Sequence, residues 1–124
     1  MADSSYTPPK PPSGMGTGGR KLWNDIVSRY ELAQHELRLL TEACRTADDC
    51  DRFAKVIAVD GDLITNPSSG LVKPHPLHNQ LRDARLSLAR LLGALRIPEE
   101  YERDASGLRR PNRRMGVHRP RRVS

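Results

Sequence analysis

The stretch "GDLITNPSSGLVKPHPL", Gly61 to Leu77, interrupts a chain that otherwise carries helical periodicity from about position 20 to position 96. A helical hairpin turns around within a few residues. Here two short β-type runs, Leu63-Ile64-Thr65 and Leu71-Val72-Lys73, flank Asn66-Pro67-Ser68-Ser69-Gly70. Asn66 and Pro67 suit the first two positions of a type I turn, and Gly70 suits the positive φ that returns the chain. Pro74 and Pro76 have no N–H to give a ladder, so they end the second run and open the next helix. The pattern predicts a β-hairpin over 62–74 at the tip of an antiparallel helical pair. Such a hairpin is marginal alone in water. Leu63, Ile64, Leu71 and Val72 are therefore expected to pack on the helices or on an adjacent subunit.

The flanking segments supply the helices. Leu22, Trp23, Ile26, Val27 and Tyr30 form one apolar stripe, which predicts a first helix from Gly19 to about Tyr30 with Trp23 as its anchor. Leu37, Leu40, Cys44, Ala47, Ala54, Ile57 and Ala58 trace one face of a second helix from about Ala33 to Val59, which Gly61 ends. Leu77, Leu81, Ala84, Leu88, Leu91 and Leu95 repeat at spacings of four and three, the seam of a helix packed lengthwise on another. Pro98 closes that third helix. Leu86 and Leu92 stand off the seam, and one helical partner does not cover both faces. Together with Leu63, Ile64, Leu71 and Val72 they are the expected oligomerisation contacts.

The fold class that results is mainly α: a hairpin of long antiparallel helices with a short β-hairpin insertion and flexible tails at both ends. Residues 1–18, rich in Pro and Gly, carry almost nothing apolar and read as a flexible leader. Residues 19–104 form the helical core domain. Residues 105–124 read as a disordered arginine-rich tail. The formal net charge of +6 is unevenly placed. Residues 1–104 hold 14 Lys/Arg against 15 Asp/Glu, whereas the last 20 hold seven arginines and no acid. A block of like charge of this kind serves as an interaction tail for nucleic acid or an acidic partner, and arginine matches phosphate through its planar fork. Arg109, Arg110, Arg113, Arg114, Arg119, Arg121 and Arg122 are accordingly the leading DNA-binding candidates. Arg20 and Lys21 join them at the start of the first helix, where free backbone N–H groups favour anions. Arg82 and Arg85 join them on the third helix.

Catalytic and metal chemistry finds no footing. Gly14, Gly16 and Gly19 match G-x-G-x-x-G, but "PPKPP" precedes them instead of a strand, and no βαβ unit follows. Arg20 occupies the lysine position of a phosphate-binding loop, and no Ser or Thr follows Lys21. His75 and His78 fall short of the three or four ligands zinc requires, and contacts at the hairpin or the helix start account for them. Asp48, Asp49 and Asp51 read as a solvated face with arginine partners such as Arg45 and Arg52. Cys44 and Cys50 lie about 240° apart on one helix and read as reduced thiols, Cys44 in the core. No signal region or membrane span is expected. The reading is a non-enzyme without cofactor or metal.

The order of features resembles the small terminase subunit of tailed bacteriophages, in the form found in phages of actinobacteria. The resemblance runs over about residues 11–104, through "PPSGMGTGGRKLWNDIV", "LLTEACRTADDCDRF", "DGDLITNPSSGLVKPHPL" and "RDARLSLARLLGALRIPEE". The hairpin stretch followed by a leucine helix ending in Leu-x-Ile-Pro is its most specific part. At "IPEEYERD" the chain departs from the commoner, shorter Leu-Thr-Pro ending. The resemblance implies a non-catalytic DNA-recognition subunit of the genome-packaging machine. It implies a homo-oligomeric ring in the host cell cytoplasm that binds phage double-stranded DNA and regulates the large terminase subunit, the ATPase and nuclease. The rival reading is a helical adaptor or DNA-binding regulator that acts through its basic tail and has no packaging role.

Overall fold

The computed structural model describes residues 6–97 and 119–120. Its elements are α1 (Thr17–Val27), β1 (Tyr30–Glu31), α2 (Gln34–Asp60), β2 (Leu63–Thr65), β3 (Val72–Pro74), α3 (Leu77–Leu95) and β4 (Arg119–Pro120). The fold is the predicted one. Two long helices, α2 and α3, pack along each other and are joined at their tip by the antiparallel β2–β3 hairpin. At ~1.5 Å per residue α2 spans about 40 Å. Residues 98–118 and 121–124 lie outside the described residues. They include "PEEYERD" from Pro98 to Asp104 and most of the tail expected to be disordered.

The heptad seam works as its spacing predicts. Leu81 and Leu95 are buried, while Leu77, Ala84, Leu88 and Leu91 are half-buried along the same line. The main core, however, sits at one end of the pair. Met15, Trp23, Ile26, Val27 and Tyr30 close over Leu40, Cys44 and Leu95 where α1 crosses, and Leu22, Leu32, Leu37, Leu39, Leu92 and Ile97 pack around them. Towards the hairpin the pair is bare: Ile57 and Leu81 are buried, but Val59 is 81% exposed.

The first helix differs from its expected limits. It begins at Thr17 and stops at Val27, so Tyr30 reaches the core from β1 instead of from a helix. At this end the Arg29 N–H goes to the Ile26 carbonyl, and the Asp25 carbonyl that it would otherwise have met accepts instead from the Ser28 and Arg29 side chains. The next helix is entered at Ala33, whose N–H is taken by Glu36 Oε1 at 2.8 Å, half of a capping box.

The leader also holds more than its composition implies. Tyr6 Oη donates to the Val27 carbonyl at 3.0 Å, Trp23 Nε1 donates to the Pro9 carbonyl at 2.8 Å, and Met15 is buried. A polyproline-type run suits this role, since its carbonyls point outward without internal hydrogen bonds. Trp23 needs such an acceptor, because a buried indole N–H left unpaired costs about 1–3 kcal/mol.

Both cysteines are free, as expected. Burial, then the nearby Asp48 charge, push the Cys44 thiol up to about 12. Burial also raises Cys50, with Arg85 acting in the opposite direction. A thiol that holds its proton more tightly when folded loses stability as pH rises, here from its ordinary value of 9.0 towards 12. At pH 8 Cys50, on a half-exposed face, is expected to be alkylated first. Cys44 should follow only at the rate of unfolding, which timed mass spectrometry would separate. Equal rates for both would show that the α1–α2 contact opens freely.

Candidate nucleic-acid interface

The glycine-rich lead-in to α1 is the first place to test for phosphate. Gly16, the N-cap of α1, donates its N–H to Asp48 Oδ2 at 2.7 Å, and Gly19 donates to Asp48 Oδ1 at 2.7 Å. One carboxylate from the middle of α2 thus binds both amides that an N-cap side chain and a capping-box partner would otherwise satisfy. Gly16 has no side chain to do so itself. The approach is close enough to exclude a Cβ. At Gly19 one would stand 2.6 Å from Asp48 Oδ2 and 2.8 Å from the Cys44 carbonyl. The shallow recess in front of this turn is lined by Asp48 and Asp51 as well as Arg52 and Lys55.

One expectation is corrected here and a second is narrowed. Asp48 is not part of a solvated face; it is the anion at the α1 N-terminus. At that N-terminus, beside Arg20 and Lys21, two of the amides are therefore already bound to a carboxylate whose charge opposes a phosphate. Arg20 is turned back to donate to the Met15 carbonyl, and Lys21 is exposed. Asp49 behaves as expected and pairs with Arg52 at 2.9 Å.

The remaining basic candidates are dispersed. Arg82 and Arg85 are exposed on α3; Arg82 reaches Asn79 Oδ1 at 3.2 Å, and Arg85 lies close enough to Cys50 to oppose the rise of its thiol. Asp48 and Cys50 are two residues apart on α2, about 200° around its axis. The α1 pair and the α3 pair thus flank α2 from different sides. Arg109, Arg110, Arg113, Arg114, Arg121 and Arg122 lie outside the described residues. Of Arg119 only the backbone is described, paired with Glu31.

The hairpin is well formed and held at its base. Leu63 pairs with Pro74, Ile64 with Lys73 and Thr65 with Val72. Its end is closed by Asn66 N–H to the Leu71 carbonyl and Gly70 N–H to the Asn66 carbonyl, both 2.8 Å. The second bond spans four residues, an α-turn, where a type I turn is expected from sequence. Asn66 Oδ1 accepts from the Ser68 amide and Gly70 has the expected positive φ, +76°. At the base, buried His75 Nε2 meets Asp60 Oδ2 at 2.9 Å while its Nδ1 accepts from the Leu77 amide. With Nδ1 an acceptor, Nε2 carries the proton that Asp60 receives. His75 is thus a hairpin and helix-start residue.

The hairpin does not lie on its own helices. Leu63, Leu71 and Val72 are 61%, 69% and 58% exposed, and only Ile64 is half-buried. Two strands that project beyond a helix pair have no third layer among the described residues to cover them. Leu86 is likewise exposed on α3. Leu92 is different: it packs against the core and lines an apolar groove with Leu22, Ile26 and Ile97.

Among the described residues no three His, Cys, Asp or Glu side chains gather as a metal site, and no helix is long and apolar enough to cross a membrane. Comparison of the chain with protein-family models, curated proteins and solved structures returns no match.

The geometry at Asp48 makes a direct expectation. Asp48→Ala leaves two amides of α1 to water and should cost about 1–3 kcal/mol in chemical denaturation. It should also free the helix start, so that sulfate raises the variant's midpoint more than the parent's. A loss below roughly 0.5 kcal/mol, within the range of ordinary surface changes, would show that the carboxylate is not needed there.

Proposed function

We propose that this chain is the small terminase subunit of a tailed bacteriophage, a non-catalytic ring-forming protein that binds phage double-stranded DNA and passes it to the large ATPase and nuclease subunit. The observation that carries this reading is the β-hairpin at the tip of the α2–α3 pair, which presents Leu63, Leu71 and Val72 to solvent. The hairpin sequence and the leucine helix after it are also where the resemblance is most specific. A projecting two-stranded element with an apolar face suits docking on a neighbouring subunit through side chains and strand edge.

DNA affinity in this reading is electrostatic and rests on the arginine tail. The α1 start, with Arg20 and Lys21, is disfavoured as a contact in this reading, because the Asp48 carboxylate already binds its Gly16 and Gly19 amides. Arg82 and Arg85 are available as secondary contacts. In a mobility-shift titration with phage DNA, removal of residues 105–124 should weaken binding. It should also flatten the dependence on log salt by about 0.9 for each phosphate no longer neutralised. An unchanged slope would take the tail out of the interface. Absence of any shift at low salt, with retained binding to the large subunit, would favour the adaptor reading instead.

Assembly has its own test. Leu71→Ser with Val72→Ser should lower the mass found by size exclusion with light scattering, while far-UV circular dichroism keeps its helical signal. Burial of a side chain of this kind is worth about 1.5–3 kcal/mol, so the pair should shift dissociation by about a hundredfold to ten-thousandfold. An assembly of undiminished mass would reduce the hairpin to a connector.

A further inference from the structure

The two-residue strand between the first helices has a partner from the far end of the chain. Tyr30 pairs with Pro120 and Glu31 with Arg119, antiparallel. In an antiparallel ladder, pairs that exchange two hydrogen bonds alternate with pairs that exchange none. Proline has no N–H, so Tyr30–Pro120 is the empty rung and Glu31–Arg119 the bonded one. An independent contact agrees with this register. The Tyr30 carbonyl is reached by Tyr6 Oη at 3.4 Å, so it points towards the leader and away from β4. Glu31 then turns its N–H and C=O to the arginine-rich segment. The leader and the tail thus converge on opposite edges of one strand.

We infer that the Tyr30–Glu31 edge is a docking edge for the chain's own arginine-rich C-terminal segment, forming a latch that a polyanion must open to engage that segment fully. The inference deepens the DNA-binding reading and, for its competition step, rests on it. Three features suit the role. The backbone pairing is only two residues long, so it is marginal by itself and opens readily. Pro120 stands on the one rung where a missing N–H costs nothing, and there it also stops the ladder from becoming a stable sheet. The segment that docks is purely cationic, while the body it docks on is not. Phosphates therefore draw it away, and neutral partners do not.

The test uses the full chain and two substitutions far from the core. Arg119→Pro removes the N–H of the bonded rung, whereas Arg119→Ala removes the same charge and keeps it. Amide hydrogen exchange at Glu31, read by NMR, should be several-fold slower in the parent and in Arg119→Ala than in Arg119→Pro. Adding a 30-base-pair duplex to the parent should speed Glu31 exchange to the Arg119→Pro rate, and DNA should bind Arg119→Pro more tightly than Arg119→Ala. Equal Glu31 exchange in the two variants would overturn the latch, whatever the DNA affinity. Glu31 protection that duplex leaves intact while the duplex binds would overturn the competition. Protection that disappears on dilution would overturn the intramolecular pairing in favour of exchange between copies. Failure of the duplex to bind at all would instead count against the DNA-binding reading.

Discussion

Everything at the closed end of the molecule depends on one carboxylate. Asp48 projects from the middle of α2 and takes the Gly16 and Gly19 amides. That fixes where α1 begins and how close it comes to α2. The closeness is what places Met15, Trp23, Ile26 and Val27 over Cys44 and Leu40. It also explains the density of glycine: a side chain at Gly19 would meet the Cys44 carbonyl as well as the carboxylate. A charge in this position gains from the helix dipole and loses part of its hydration. Its negative field also helps to hold the Cys44 thiol in its protonated form.

Around that anchor, the leader is part of the core's lid. Pro9 accepts from the Trp23 indole, and Tyr6 bonds the Val27 carbonyl at the end of α1 and the Tyr30 carbonyl in β1. The side chains that would make these contacts in a larger protein are missing here, since only 4% of the residues are aromatic. Short chains bury a small share of their surface. Recruiting backbone carbonyls of a proline-rich segment is a way to cover a tryptophan without a further helix.

Much of this architecture is legible in sequence because it is local. The four-three spacing of leucines in α3, the stripe of α2, and the Asn66 and Gly70 turn chemistry each concern neighbours within a few residues. What escapes is non-local. Nothing near Asp48 says that its partners stand 29 and 32 residues earlier, and beside Asp49 and Asp51 it looks like an ordinary solvated acid. The glycines signal a close backbone approach, but not what approaches. They mimic a phosphate loop because the physical demand is the same, an anion against bare amides. Tyr30 continues the apolar stripe of the first helix, yet that helix ends earlier, where the Asp25 carbonyl accepts from the Ser28 and Arg29 side chains. Periodicity reports which residues are buried more faithfully than which element carries them.

The far end of the helix pair shows the complementary case. α1 packs on one half of α2 and meets α3 only near Leu92 and Leu95, and nothing among the described residues covers the other end, where Val56, Val59, Leu63, Leu71 and Val72 remain accessible. His75, itself buried, is tied to half-exposed Asp60 and so links the hairpin base to the end of α2, although Leu63, Leu71 and Val72 stay exposed. A flexible connector needs no such support. Fixing an exposed apolar ribbon in place lowers the entropy lost when a surface closes over it. Within the described chain these side chains contribute little burial, so whatever stability they can supply is left for a surface that covers them. That division puts close packing around Trp23 and exposed apolar surface around Val72, towards opposite ends of the helix pair.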